Sequence, residues 1–142
     1  MEWEYEQGYV DVAMPGYVPA SLLRLNQKPE KVLQYSLHAH IRIQYGKKGT
    51  RQYATAPDST PLLSPKETTH NQSVTGLFFF YGRAIDYTAL LALNKIGSAP
   101  ASPTENTKRK AQQLMDFIHT YLNAYLRFHA RDMVLHVDNN AA

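Results

Sequence analysis

The chain of 142 residues has no cysteine. Disulfide frameworks, zinc sites built from thiolates and thiol catalysis are therefore excluded. The longest apolar run, GLFFFYG at 76–82, is far too short to cross a bilayer. The first ten residues, MEWEYEQGYV, contain neither a basic residue nor an apolar stretch, so they do not form a signal peptide. We therefore expect an intracellular protein, cytoplasmic or nuclear, that does not bind a membrane.

Catalytic motifs are missing as well. The sequence has no glycine-rich phosphate loop, no nucleophile elbow and no HExxH zinc motif. His38 and His40 would share one face of a strand, but no third ligand lies near them in sequence, so a metal site is disfavoured. The sequon NQS at 71–73 falls in a predicted helix of a chain expected inside the cell, and we dismiss it. We therefore expect no cofactor and no enzymatic activity from the chain by itself.

The charges are unevenly distributed along the chain. Residues 1–16 carry four acidic side chains and no basic one. Residues 24–51 carry seven basic side chains and one acidic, a net charge of +6. The basic residues are Arg24, Lys28, Lys31, Arg42, Lys47, Lys48 and Arg51. Such segregation indicates a surface that faces a polyanion, and the alternative is a solvated basic loop.

The pattern of apolar residues predicts an α+β fold with a mostly helical core. Three to four helices are expected, at about 17–25, 65–83, 87–96 and 103–123, with an N-terminal hairpin at 3–13 and a C-terminal hairpin at 126–138. Between them, 26–63 is weakly patterned, although 37–43 alternates enough for a strand. A connection of this length is either functional or mobile.

Two helix starts carry capping signals. SPKE at 64–67 places Ser64 at the N-cap, Pro65 at the first helical position and Glu67 three residues after the cap. SPTE at 102–105 repeats the device. The helix that follows should bury a stripe at spacings of three and four, formed by Ala111, Leu114, Met115, Ile118, Leu122 and Tyr125.

Two polar clusters are candidate sites. Arg83 can pair with Asp86 or with a phosphate, and a helix cap with a local ion pair is the favoured interpretation. Asp138 and Asn140 point the same way on the last predicted strand. A two-metal nuclease site needs several converging carboxylates, so a polar strand terminus is the favoured interpretation there.

The order of four segments resembles the Pol polyprotein of copia-like LTR retrotransposons. The segments are VDVAMPGYV, YGKKGTRQYATAPDSTPLL, QSVTGLFFFYGRAIDYTALLALNKI and the stretch from PTENTKRKAQQ through RDMVLHVDNNAA, and together they span almost the whole chain. The resemblance implies a reverse-transcriptase thumb and connection that runs into ribonuclease H. It divides the chain into the end of the palm and thumb with a basic connection (1–63), a helical region (64–125) and the first strands of ribonuclease H (126–142).

This resemblance implies contact with a primer–template duplex. Arg42, Lys47, Lys48, Arg51 and Arg83 are the expected phosphate-binding residues, and the contact would be weak and independent of sequence. The expected partners are DNA or RNA duplex and the absent palm and ribonuclease H segments of the parent polyprotein.

The metal chemistry of the family is not preserved. The parent enzyme would use Mg²⁺, but Asn140 stands where the family carries the first ribonuclease H aspartate, and an amide lacks the charge that the metal needs. Asp138 is not a convincing substitute. We therefore expect a non-catalytic fragment. The alternatives are a small basic nucleic-acid-binding protein in host use and a relic reading frame without selected function.

Overall fold

The computed structural model describes residues 2–4, 6–28, 33–39, 58–98 and 102–130. The fold is mixed α+β and mostly helical, as the sequence predicts. Helices α1 (Tyr17–Arg24), α2 (Pro65–Ala84), α3 (Leu90–Gly97) and α4 (Glu105–Thr120) form the core. None of the helices in these ranges is both long and apolar enough to span a bilayer.

A three-stranded antiparallel sheet stands beside the helices. The predicted N-terminal hairpin is confirmed as β1 (Glu2–Glu4) and β2 (Tyr9–Ala13). Strand β3 (Tyr125–His129) pairs with β2, so the sheet order is β1-β2-β3. The sequence does not reveal this long-range partner. Positions 131–138, which include the second strand of the predicted C-terminal hairpin, lie outside the described residues.

Helix α2 begins where its capping box predicts. The Ser64 hydroxyl accepts from the Glu67 amide at 3.4 Å, and the Glu67 carboxylate accepts from the Ser64 amide at 3.1 Å. Val74, Phe78 and Tyr81 are buried, as their spacing predicts. Asn71, the acceptor residue of the NQS sequon, is only 5% exposed, whereas Gln72 and Ser73 are exposed. Phe80 is 57% exposed, so it lies outside the buried face of α2.

The start of α4 differs from the prediction, because the N-cap is Thr104 and not Ser102. The Thr104 hydroxyl accepts from the Thr107 amide at 3.3 Å. The residues before it pair with an earlier segment, since the Pro103 carbonyl accepts from the Leu63 amide at 2.9 Å. The Glu105 amide also donates to the Pro61 carbonyl at 2.9 Å. These tertiary hydrogen bonds hold 102–104 extended and delay the helix.

The end of α4 and the start of α3 also differ from the predicted boundaries. The stripe residues Ala111, Leu114, Met115 and Ile118 are buried as predicted. The helix stops at Thr120, however, and Tyr125 lies exposed on β3. The predicted helix 87–96 starts with a 3-10 turn, Tyr87–Ala89, that the Asp86 carboxylate caps. Within the predicted strand 37–43, the described residues 37–39 are not extended in a sheet, and 40–43 lie outside the described residues.

Candidate nucleic-acid interface

Most of the residues that the sequence nominates lie outside the described ranges. Arg42, Lys47, Lys48 and Arg51 lie outside the described residues, as do Asp138 and Asn140. Their roles stay predictions. Arg83 is the nominated phosphate contact that the structure describes.

Arg83 is exposed in the last turn of α2. Its guanidinium carbon lies 5.6 Å from the centroid of the Phe79 ring. The Asp86 carboxylate accepts from the Thr88 amide at 3.2 Å, so Asp86 acts as a cap, as predicted. The ion pairs within the described residues are Lys108–Glu67 and Arg127–Asp11, so the predicted Arg83–Asp86 pair is wrong. Among the described residues, no carboxylate therefore neutralises the charge of Arg83 by an ion pair.

A larger basic surface lies between α3, α4 and the segment at 37–39. These elements enclose a cleft of about 560 Å³. We call it the basic cleft, because Lys95, Arg109 and Lys110 line it. Neither of the two ion pairs within the described residues involves these three cations.

Helical spacing explains why these side chains meet. Asn106, Arg109, Lys110 and Gln113 follow one another at i, i+3, i+4 and i+7 on α4, which places them on one face. The neighbouring face of the same helix carries the buried stripe. Packing of that stripe into the core fixes the direction in which the cations project.

Helix α3 supplies the floor of the basic cleft. Ala92 and Ile96 are 2% and 1% exposed, and both line the cleft together with Leu37. Lys95 lies between them in sequence and stands exposed at the rim. The basic cleft therefore combines an apolar floor with a cationic wall.

The segment that closes the basic cleft is tied to α4. The Gln34 amide donates to the Thr120 hydroxyl at 3.1 Å, and the Gln113 side-chain nitrogen donates to the Ser36 carbonyl at 3.1 Å. His38 also lines the basic cleft, and its buried Nδ1 has no hydrogen-bond partner among the described residues. A buried nitrogen without a partner costs about 1–3 kcal/mol.

Asp58 is the acidic residue in the wall of the basic cleft. Its Oδ1 accepts from the Thr60 amide at 3.0 Å and from the Thr60 hydroxyl at 2.7 Å, and its Oδ2 accepts from the Thr104 hydroxyl at 2.6 Å. The hydrogen bond from Thr104, followed by those from Thr60, holds the pKa of Asp58 well below its usual range. Asp58 is therefore ionised, and the three cations less this carboxylate leave the wall at +2.

The basic cleft also holds both ends of the predicted phosphate-binding segment. Ala39 and Asp58 are the described residues on either side of 40–57, and both line the cleft. The sequence between them carries Arg42, Lys47, Lys48 and Arg51. The predicted basic segment is thus joined at both ends to a cationic surface that the sequence analysis did not identify.

The sequence gives only a weak indication of the cations in the basic cleft. Lys108, Arg109 and Lys110 form a consecutive cationic run at the start of α4. One member does not belong to the site, because Lys108 reaches Glu67 on α2 at 2.5 Å. Lys95 comes from a different helix, so no local pattern joins it to the other two.

Metal chemistry has no candidate site in the described part of the chain. No three histidine or acidic side chains cluster there in a way that could hold an ion.

No known protein family, curated protein or solved structure matches the chain. The basic cleft and the resemblance noted in the sequence are therefore the two observations that bear on function.

Proposed function

We propose that the chain is a non-catalytic scaffold that contacts the phosphate backbone of a nucleic-acid duplex. The basic cleft and the segment joined to it at Ala39 and Asp58 supply the contacts. The observation that carries the proposal is the cluster of three cations on α3 and α4 that no described carboxylate neutralises by an ion pair. Cations of this kind attract phosphates without reading sequence.

The resemblance to retrotransposon Pol supports the same role. In that setting the chain is a piece of a polyprotein of reverse transcriptase and ribonuclease H, and it positions a primer–template duplex between the palm and the nuclease. Those missing segments would be its protein partners, and the Mg²⁺ of the parent enzyme would be held by them. Weak and non-specific affinity suits an enzyme that must copy any template.

The basic cleft provides the direct test. Lys95→Gln/Arg109→Gln/Lys110→Gln removes its three cations and keeps residues that favour helices. The control, Lys66→Gln, removes a cation that neither lines the cleft nor belongs to the basic segment 24–51, and Arg109→Gln is the single-charge variant that matches it. Fluorescence anisotropy with a short labelled duplex at low salt should show weaker binding for the first variant than for the control. Equal losses in the two single variants would reject the cleft as the contact surface.

Host use of the same binding activity is the second candidate, because the basic cleft serves either role. The coding sequence on both sides of this reading frame separates the two. Flanking palm and ribonuclease H sequence, even if interrupted, supports an origin in Pol. The relic alternative predicts no binding of the duplex even at low salt.

A further inference from the structure

Phosphate contacts alone do not account for the shape of the basic cleft. A duplex backbone needs only cations on an open surface. This cleft has an apolar floor of Leu37, Ala92 and Ile96 beneath its charged wall. Ligand sites typically combine apolar walls with a few convergent polar groups in this way, and their volumes lie at about 300–1,000 Å³. The volume of about 560 Å³ falls within that range.

We propose that the basic cleft binds one unpaired nucleotide that carries a terminal phosphate. The base lies against Leu37, the apolar lining residue that is only partly buried, and the phosphate lies among Lys95, Arg109 and Lys110. This inference rests on the proposed function, because it names the ligand of the same site. The nucleotide is either free or the 5′ end of a strand, and both sources present the same chemistry.

Charge balance favours a terminal phosphate over a backbone phosphate. A phosphomonoester carries about −1.5 to −2 near neutral pH. A backbone phosphodiester carries a single negative charge, as the charge density of duplex DNA reflects. The wall of the basic cleft stands at +2 when Asp58 is subtracted from its three cations. The hydrogen bonds that occupy Asp58 keep its carboxylate directed at Thr60 and Thr104.

The wall also offers polar groups at the boundary between floor and cations. Gln113, whose side-chain nitrogen donates to the Ser36 carbonyl, and Asn106, whose side chain hydrogen-bonds to Asp58, line it on the face of α4 that carries Arg109. His38 adds an imidazole with one nitrogen unpaired among the described residues. Groups of this kind suit the polar edge of a base, whereas a free phosphate would need only the cations.

Calorimetry with the full chain tests the inference. The probes are deoxyadenosine monophosphate, deoxyadenosine and inorganic phosphate. The monophosphate should bind more tightly than either fragment by about tenfold or more, because each fragment forfeits one set of contacts. Equal affinity for the monophosphate and inorganic phosphate would overturn the role of the floor. Duplexes with an unpaired 5′ overhang, with and without its phosphate, distinguish a strand end from a free nucleotide.

Two variants test the apolar part and the cationic part of the site independently. Leu37→Ala should weaken binding of the monophosphate and leave binding of inorganic phosphate unchanged. Lys95→Gln/Arg109→Gln/Lys110→Gln should weaken both, while Lys66→Gln, which removes a cation outside the cleft and outside the basic segment 24–51, weakens neither. Circular dichroism confirms that each variant keeps its helices. A loss of both ligands on Leu37→Ala with the helices intact would contradict the assigned floor.

The outcomes distinguish this inference from the proposed function. Binding of the duplex without binding of the monophosphate overturns the nucleotide site and leaves the scaffold role standing. Binding of neither overturns both. Binding of the monophosphate without the duplex supports a nucleotide site and overturns the scaffold role.

Discussion

The guanidinium of Arg127 holds the carboxylate of Asp11 through two hydrogen bonds, from Nε to Oδ1 at 2.8 Å and from Nη2 to Oδ2 at 2.7 Å. The two residues stand directly opposite each other on β3 and β2. The guanidinium carbon also lies 3.8 Å from the centroid of the Tyr9 ring. The hydrogen bond from Arg127 keeps the pKa of Asp11 below its usual value. This pair attaches β3 to the N-terminal hairpin.

Removal of the Asp11 charge should loosen β3. Asp11→Asn leaves Arg127 without its ionised acceptor, so we expect faster hydrogen exchange at the amides of β3. Glu4→Gln, an exposed change on the neighbouring strand, is the control and should leave the rates unchanged. Since β3, like β1, is an edge strand within the described residues, it should also be less protected than the helices in the wild type. Slow exchange there, as slow as in α2, would contradict this expectation.

Acid should destabilise the fold through Glu67. The hydrogen bond from Lys108, followed by those from Ser64, lowers the pKa of Glu67 from 4.5 to about 2. The unfolded chain therefore takes up the proton first as the pH falls. The stability that this carboxylate contributes is complete above pH 4.5 and is lost as the pH falls towards 2.

Thermal unfolding as a function of pH measures this contribution. The Tm of the wild type should fall more steeply than that of Glu67→Gln between about pH 5 and pH 2. Glu105→Gln, in the first turn of α4, is the control and should follow the wild type. Parallel curves for the wild type and Glu67→Gln would show that the Lys108–Glu67 contact contributes nothing to stability.

The core should respond to the loss of a single buried leucine. Leu114 on α4 is 0% exposed, and Leu91 on α3 is 57% exposed. Leu114→Ala should lower the free energy of unfolding by about 2–5 kcal/mol, because it removes buried surface and leaves a cavity. Leu91→Ala makes the same chemical change and should cost less than about 0.5 kcal/mol. Urea denaturation measures both, and similar values for the two variants would contradict the assigned core.

The elements that sequence predicts best are those with local causes. The capping box of Ser64 and Glu67 fixes the start of α2, and the stripe from Ala111 to Ile118 fixes the buried face of α4. Both depend on residues within a few positions of one another. The sequence does not predict the N-cap at Thr104, because hydrogen bonds with a distant segment, 61–63, determine where the helix begins. The pairing of β3 with β2 was missed for the same reason.

The candidate site likewise has one part that the sequence predicts and one part that only the packing of the helices reveals. Charge segregation along the chain is visible in the sequence and nominates the basic segment that contains Lys47 and Lys48. Lys95, Arg109 and Lys110 come from two helices, and only the packing of α3 against α4 brings them to one cleft. The apolar floor is equally hidden, because Ala92 and Ile96 read as ordinary core residues.

Restoring one carboxylate should not restore a nuclease. Asn140→Asp supplies the aspartate that the resemblance would place at this position. A two-metal site still needs further carboxylates, so we expect no cleavage of an RNA–DNA hybrid in the presence of Mg²⁺. The wild-type chain is the matched control. Cleavage by the variant, above the level of the wild type, would contradict the assignment of a non-catalytic fragment.

The salt dependence of duplex binding tests the central proposal most directly. Each phosphate contact contributes a slope of about −0.9 to the logarithm of the affinity against the logarithm of the salt concentration. The affinity of the wild type should fall steeply with salt, and Lys95→Gln/Arg109→Gln/Lys110→Gln should reduce the slope by about two to three. The control Lys66→Gln, outside the cleft and outside the basic segment 24–51, should keep the slope of the wild type. A wild-type affinity that does not change with salt, or equal slopes for the wild type and the first variant, would contradict phosphate contact through the basic cleft.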